Sequence, residues 1–151
     1  MKYTLLLVAC SAPYVDTWQP VCDLGTLPTS SVWVDDAFTL QQTAHIDTAL
    51  ATWSAMQCRV RYVRGSAHHE RYVYAGTLPC PTGTAGCSNY LDAWIAPHSA
   101  CQFATVAMHE VGHMVGMHHT FSGVMQPTCG GVLPRVTSED LRVCRQTGIC
   151  E

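Results

Sequence analysis

The spacing of apolar residues predicts three helices. Within residues 39–55, apolar side chains recur three or four positions apart, which is typical of a helix with one buried face. A second apolar helix is predicted from about residue 101 to 115. A third helix opens with the capping-box pattern Thr137-Ser138-Glu139-Asp140 and runs through Cys144.

Short apolar segments between these helices predict strands. They are residues 31–34, 58–63, 71–74 and, as a short edge strand, 90–96. Residues 76–89 are rich in glycine and proline and carry two cysteines, so we expect a loop there, and another at residues 120–136.

Composition limits the chain to a few classes of protein. The 151 residues are 48% apolar and 13% charged, with a formal net charge of −3. A chain of this size favours one packed domain, and so few charged residues exclude a highly charged disordered chain. The absence of a basic excess argues against nucleic acid as a partner.

The N-terminus predicts export. A short positive start, Met1-Lys2-Tyr3, precedes six mostly apolar residues and Cys10, a stretch too short to span a bilayer. Leu7-Val8-Ala9-Cys10 resembles a bacterial lipoprotein box, which would make Cys10 a lipidation site and the lipid the only membrane contact. An ordinary secretion signal or a cytosolic N-terminus are the alternatives. We therefore divide the chain into a signal (1–9), a tether (10–30) and a domain (31–151).

Eight cysteines remain after Cys10, and their even number predicts four disulfides, with 105 pairings open. We include Cys22 among them, because the alternative, Cys22 as a metal ligand, would leave an odd number of cysteines. No CxxC pair is present, which argues against a zinc ribbon. The expected location is the outer surface or periplasm as a lipoprotein, or free secretion.

The densest chemical signal is the sequence H-E-x-x-H-x-x-G-x-x-H. His109 and His113 are four residues apart, so on a helix both imidazoles can reach one ion. Gly116 permits the turn that brings His119 back as the third ligand. Three imidazoles leave an open position for water, as in catalytic zinc sites, and Glu110 is placed to act as a base on that water.

The remaining histidines have simpler interpretations. His118 could compete with His119 as third ligand, but the motif spacing favours His119. His68 and His69 are expected in a turn, because no carboxylate at ligand spacing accompanies them. His45 and His98 are expected at the surface.

These residues resemble the metzincin metallopeptidases and, among them, the matrixins. Residues 122–127 look like the Met-turn, with Met125 beneath the metal, and the resemblance extends loosely over residues 31–147. It implies an α+β fold in which a twisted sheet packs on two helices and a C-terminal helix follows. It also implies a zinc-dependent endopeptidase that acts on extended polypeptide through a zinc-bound water and Glu110 as general base.

The chain also departs from these families. The loop rich in Asp and Gly that holds calcium in many matrixins has no counterpart, so structural calcium is not supported. Gln126 and Pro127 follow Met125, so the tyrosine that astacins carry after the Met-turn is missing. We expect peptide to pair with an edge strand near residues 90–95, and Val132 and Leu133 to line the specificity pocket.

Two other functions remain open. The first is a non-catalytic, zinc-holding surface lipoprotein that binds a peptide or protein partner. The second is a disulfide-stapled module without metal. Glu110 discriminates between the enzyme and the binder, because a binder has no need of a base beside the first ligand.

Overall fold

The computed structural model describes residues 22–65, 69–76, 79–129 and 132–150. Cys10 and His68 lie outside these ranges. The elements in chain order are β1 (Thr29–Val34), α1 (Leu40–Gln57), β2 (Arg61–Arg64), β3 (Arg71–Ala75), β4 (Gly86–Ser88), β5 (Asp92–Ile95), α2 (Phe103–Met114) and α3 (Ser138–Gln146). This confirms the predicted α+β class, with a mixed sheet, two packed helices and a C-terminal helix.

The five strands form one sheet in the order β2-β1-β3-β5-β4. All neighbours are parallel except β4, which runs antiparallel to β5. The edge-strand prediction was therefore wrong: β5 lies between two strands, and β4, inside the segment predicted as a loop, forms the edge. A strand of three residues is too short to show an alternating pattern, and β5 alone supplies its pairing.

Helix α1 has a capping residue at each end. Thr39 forms a capping box with Gln42, and Cys58 adopts a left-handed conformation with φ 53°. Cys58 therefore terminates the helix, and β2 starts only at Arg61, three residues later than the sequence predicted.

The core lies between one face of the sheet and the helices α1 and α2. Val32, Val73 and Ile95 are fully buried on the inner face of the sheet. Trp53 of α1 is also fully buried, and its Nε1 donates a hydrogen bond of 2.8 Å to the carbonyl of Met108 in α2. This bond fixes the depth at which the two helices pack.

The outer face of the sheet carries aromatic residues in contact with each other. Tyr74 lies between Tyr72 and Trp94 with ring centroids 5.8 and 5.5 Å away, and Trp33 contacts both tyrosines. Trp33 and Trp94 are therefore half-buried on this face.

Four disulfides connect the loops to this framework, as the even number of cysteines predicted. The pairs are Cys22–Cys58, Cys80–Cys87, Cys101–Cys129 and Cys144–Cys150. Cys22 is thus bonded to Cys58 and is not a metal ligand. Among the described helices, none has the length and apolar character needed to cross a membrane.

Gly112, in the middle of α2, allows other side chains to pack directly against the helix. A Cβ at this position would clash with the Met125 sulfur and lie 2.8 Å from the Trp53 ring. We expect Gly112→Ala to lower the free energy of unfolding, because overpacking costs about 1–3 kcal/mol and helix propensity returns only about 1 kcal/mol. Denaturant titration measures this, and an unchanged or higher stability would contradict the close packing.

Candidate metal centre and catalytic cleft

Three imidazoles converge at the C-terminal half of α2. The Nε2 atom of His113 lies 3.1 Å from that of His109 and 3.2 Å from that of His119. Gly116, with φ 97°, turns the chain so that His119 returns toward the helix. The structure therefore brings together the three predicted ligands, and they could hold one metal ion.

Backbone carbonyls fix the orientation of two of these rings. His109 Nδ1 lies 2.8 Å from the carbonyl of Val124, and His113 Nδ1 lies 2.7 Å from that of Met117. A carbonyl only accepts hydrogen bonds, so Nδ1 carries the proton and Nε2 presents its lone pair to the centre. Burial lowers the pKa of both imidazoles, that of His113 to about 4, which favours the neutral, ligand-competent form.

The geometry fits zinc. Two unprotonated Nε2 atoms 3.1 Å apart repel each other unless a cation lies between them. Zinc–nitrogen bonds of about 2.0–2.1 Å in a tetrahedral arrangement place neighbouring nitrogens about 3.3 Å apart. The observed separations match this, and three protein ligands leave a fourth position open.

Glu110 lies next to the ligand set and is nearly buried. Only 5% of its surface is exposed, and its Oε2 has no hydrogen-bond partner in the described structure. Burial raises its pKa to about 8, because no other group compensates for the lost hydration of the carboxylate. A cation at the imidazoles would act in the opposite direction and favour the ionised form.

The segment predicted as the Met-turn, residues 122–127, is held by Asp140. The fully buried Asp140 carboxylate accepts hydrogen bonds from the backbone N–H groups of Val124 and Met125, at 3.0 and 3.1 Å, and from the hydroxyl of Thr120. It also accepts hydrogen bonds from the backbone N–H and the hydroxyl of Thr137, while its own backbone N–H donates the second capping-box bond to the Thr137 hydroxyl oxygen. Since the Val124 carbonyl orients His109, Asp140 is linked to the metal centre through one residue.

A cleft of about 730 Å³ opens over these residues. Strand β4 and the preceding loop form one wall, and residues 126–129 form the other. Val132 and Leu133 are not among the lining residues; Leu133 is 55% exposed, and the Val132 carbonyl accepts a hydrogen bond from Thr105. The prediction of these two residues as pocket walls was wrong, because the Cys101–Cys129 disulfide brings the loop to the cleft before residue 132.

Arg71 was not identified from the sequence, yet it connects the cleft to α2. Its Nη1 donates hydrogen bonds of 2.6 Å to the carbonyls of Tyr90 and Met114. Its guanidinium also lies over the Tyr62 ring, 5.1 Å from the centroid. An isolated arginine after a turn gives no sequence signal for these two hydrogen bonds.

The other histidines that the structure describes lie outside the ligand set. His118 packs edge-on against Tyr90 with ring centroids 6.0 Å apart at the mouth of the cleft. His45 contacts Phe103, and His69 lies against Tyr72. None of these three belongs to the metal-binding group found among the described residues.

Comparison with known proteins identifies the family. The model of the family Astacin (Peptidase family M12A) matches residues 30–124, and the chain belongs to this family of metzincin zinc metalloproteases. The sequence resemblance thus identified the metzincin class, but the family matched is astacin and not matrixin. No curated protein matches the chain.

A solved structure shares the fold. High choriolytic enzyme 1, a hatching enzyme zinc-protease from the medaka fish Oryzias latipes, aligns with a TM-score of 0.52 and 11% sequence identity. The alignment covers 83% of this chain and 91% of that chain.

We expect the three imidazoles to bind one zinc ion per chain. His119→Ala leaves two ligands and should weaken zinc affinity by more than about 100-fold, since loss of an outer hydrogen bond alone costs 10–100-fold. Competition with a chromogenic chelator measures this. His118→Ala is the matched control and should bind zinc like the wild type; the reverse result would make His118 the third ligand.

We expect Asp140→Ala to affect both folding and metal binding. The variant leaves several buried donors without an acceptor, which should lower the free energy of unfolding by at least about 3 kcal/mol. Zinc affinity should also fall, because the Val124 carbonyl is no longer held against His109. Glu139→Ala is the control: it removes only the ion pair with Arg142 at the protein surface, which should lower stability far less than Asp140→Ala does and leave zinc affinity unchanged.

Proposed function

We propose that this protein is a zinc-dependent endopeptidase that hydrolyses extended polypeptide. The observation that carries the proposal is the Glu110 carboxylate, which is buried and without a partner beside three convergent imidazoles. A buried carboxylate without a hydrogen bond is costly, so its presence in a cleft indicates a group kept ready for chemistry. Membership of the astacin family supports the same reaction.

His109, His113 and His119 would hold the zinc, which when bound polarises the scissile carbonyl and makes water more acidic. Glu110 takes a proton from the attacking water as its oxygen bonds to the carbonyl carbon. The carbon–nitrogen bond then breaks, and Glu110 delivers the proton to the leaving amine. Together these steps consume one water molecule, pass one of its protons to the amine and leave Glu110 as it began.

Strand β4 is the proposed binding site for the substrate backbone. It ends the sheet, so one side of its main chain has no strand partner among the described residues, and its three residues line the cleft. An extended peptide can add to such an edge by main-chain hydrogen bonds. This replaces the expected site at residues 90–95, whose strand is paired on both sides.

The reaction needs no tyrosine after the Met-turn, and in this respect we propose that the chain works in the manner of matrixins. Pro127, two residues after Met125, has no donor to offer a developing oxyanion. Stabilisation of that charge would rest with the metal.

We also propose that the protein acts outside the cytoplasm. Four disulfides indicate an extracellular or secreted protein. We infer that residues 1–9 serve as an export signal, that the predicted tether of residues 10–30 leads into β1, which begins at Thr29, and that lipidation of Cys10 provides the membrane anchor. The Cys22–Cys58 disulfide would attach this tether to the residue that follows α1.

We expect Glu110→Gln to abolish peptide hydrolysis while zinc binding and fold persist. Loss of a positioned general base lowers kcat by about 10²–10⁴-fold. The measurement incubates both proteins with a peptide library from a denatured proteome and identifies new termini by mass spectrometry. Glu139→Ala should cleave like the wild type. Stoichiometric zinc without cleavage by the wild type would instead support the non-catalytic zinc-holding binder.

A further inference from the structure

We propose that Gly86 is a positioning residue that holds the Glu110 carboxylate between the edge strand and α2. The inference rests on the proposed function, because it assigns Glu110 the role of base. It adds a specific requirement for a residue without a side chain at position 86.

The geometry leaves no room for a larger residue. A Cβ at Gly86 would lie 2.9 Å from both Cγ and Oε1 of Glu110. It would also lie 2.8 Å from the carbonyl oxygen of Trp94, the residue opposite Cys87 in the β4–β5 ladder. The Glu110 side chain therefore packs directly against the backbone of β4.

The need for glycine is one of space and not of backbone conformation. Gly86 is not among the residues with positive φ, so any amino acid could adopt its conformation. An added methyl group would instead displace the atoms next to it. The Trp94 carbonyl belongs to the sheet and cannot move freely, whereas the carboxylate end of Glu110 can rotate away.

This contact joins substrate binding to the base. The strand that we propose to bind the peptide backbone is also the surface against which Glu110 packs, and both line one cleft. Displacement of the carboxylate by a fraction of an ångström would separate it from the water while leaving the edge of β4 able to pair. Gly86 therefore fixes the distance between the bound peptide and the Glu110 carboxylate, which transfers the proton of the attacking water.

The first test separates positioning from binding. We expect Gly86→Ala to lower kcat at least 10-fold, with a smaller change in KM and unchanged zinc affinity by chelator competition. Gly25→Ala, a glycine remote from the cleft that also lacks a positive φ, controls for the added methyl group and should match the wild type. An unchanged kcat in Gly86→Ala would overturn the proposal.

The second test needs no activity. We would measure the thermal unfolding midpoint for Gly86→Ala, Glu110→Ala and the double variant. Because removal of the Glu110 side chain abolishes its contact with the methyl group while the contact with the Trp94 carbonyl remains, the loss caused by Gly86→Ala should be smaller in the Glu110→Ala background. Equal losses in both backgrounds would assign the clash to Trp94 and refute the proposal.

Folding failure is also decisive. If Gly86→Ala folds only in the Glu110→Ala background, the contact is confirmed; if it folds in neither, the proposal fails. The proposed function is judged separately, since it fails if Glu110→Gln or Glu110→Ala retains peptide hydrolysis.

Discussion

The metal centre depends on the buried carboxylate of Asp140. Asp140 brings a charge into the interior, and such a charge persists only where several donors replace its lost hydration. The donors come from three places along the chain: Thr137 at the start of α3, Val124 and Met125 in the Met-turn, and Thr120 after the last imidazole ligand. One residue thereby fixes the C-terminal helix, the turn and, through the Val124 carbonyl, the ring of His109.

The parts of the site that could be predicted from the sequence are those whose geometry is set by residues close together in the chain. A spacing of four residues places His109 and His113 on one helix face in any sequence context. Gly116 supplies the positive φ that the return of His119 requires. Helical periodicity likewise predicted α1 and α2 within three residues at each end, because it repeats over several turns.

What the sequence did not reveal depends on contacts between distant segments. Strand β4 exists because β5 pairs with it, and its three residues carry no pattern of their own. Asp140 was visible only as the last residue of a capping box, and nothing local indicates that its carboxylate also holds residues 124 and 125. The distinction between astacin and matrixin eluded motif analysis because the evidence for it extends over residues 30–124 and not over the zinc motif alone.

The disulfides at the cleft have a consequence for the lifetime of the enzyme. Cys80–Cys87 closes the loop before the edge strand, and Cys101–Cys129 ties the opposite wall to the start of α2. A peptidase in a concentrated secretion meets other copies of itself, and exposed loops are the usual sites of cutting. The edge proposed to accept extended chain could not take up a loop whose ends are joined seven residues apart, as they are by Cys80–Cys87. The Cys80–Cys87 cross-link that shapes one wall of the cleft would thus also protect that wall from self-digestion.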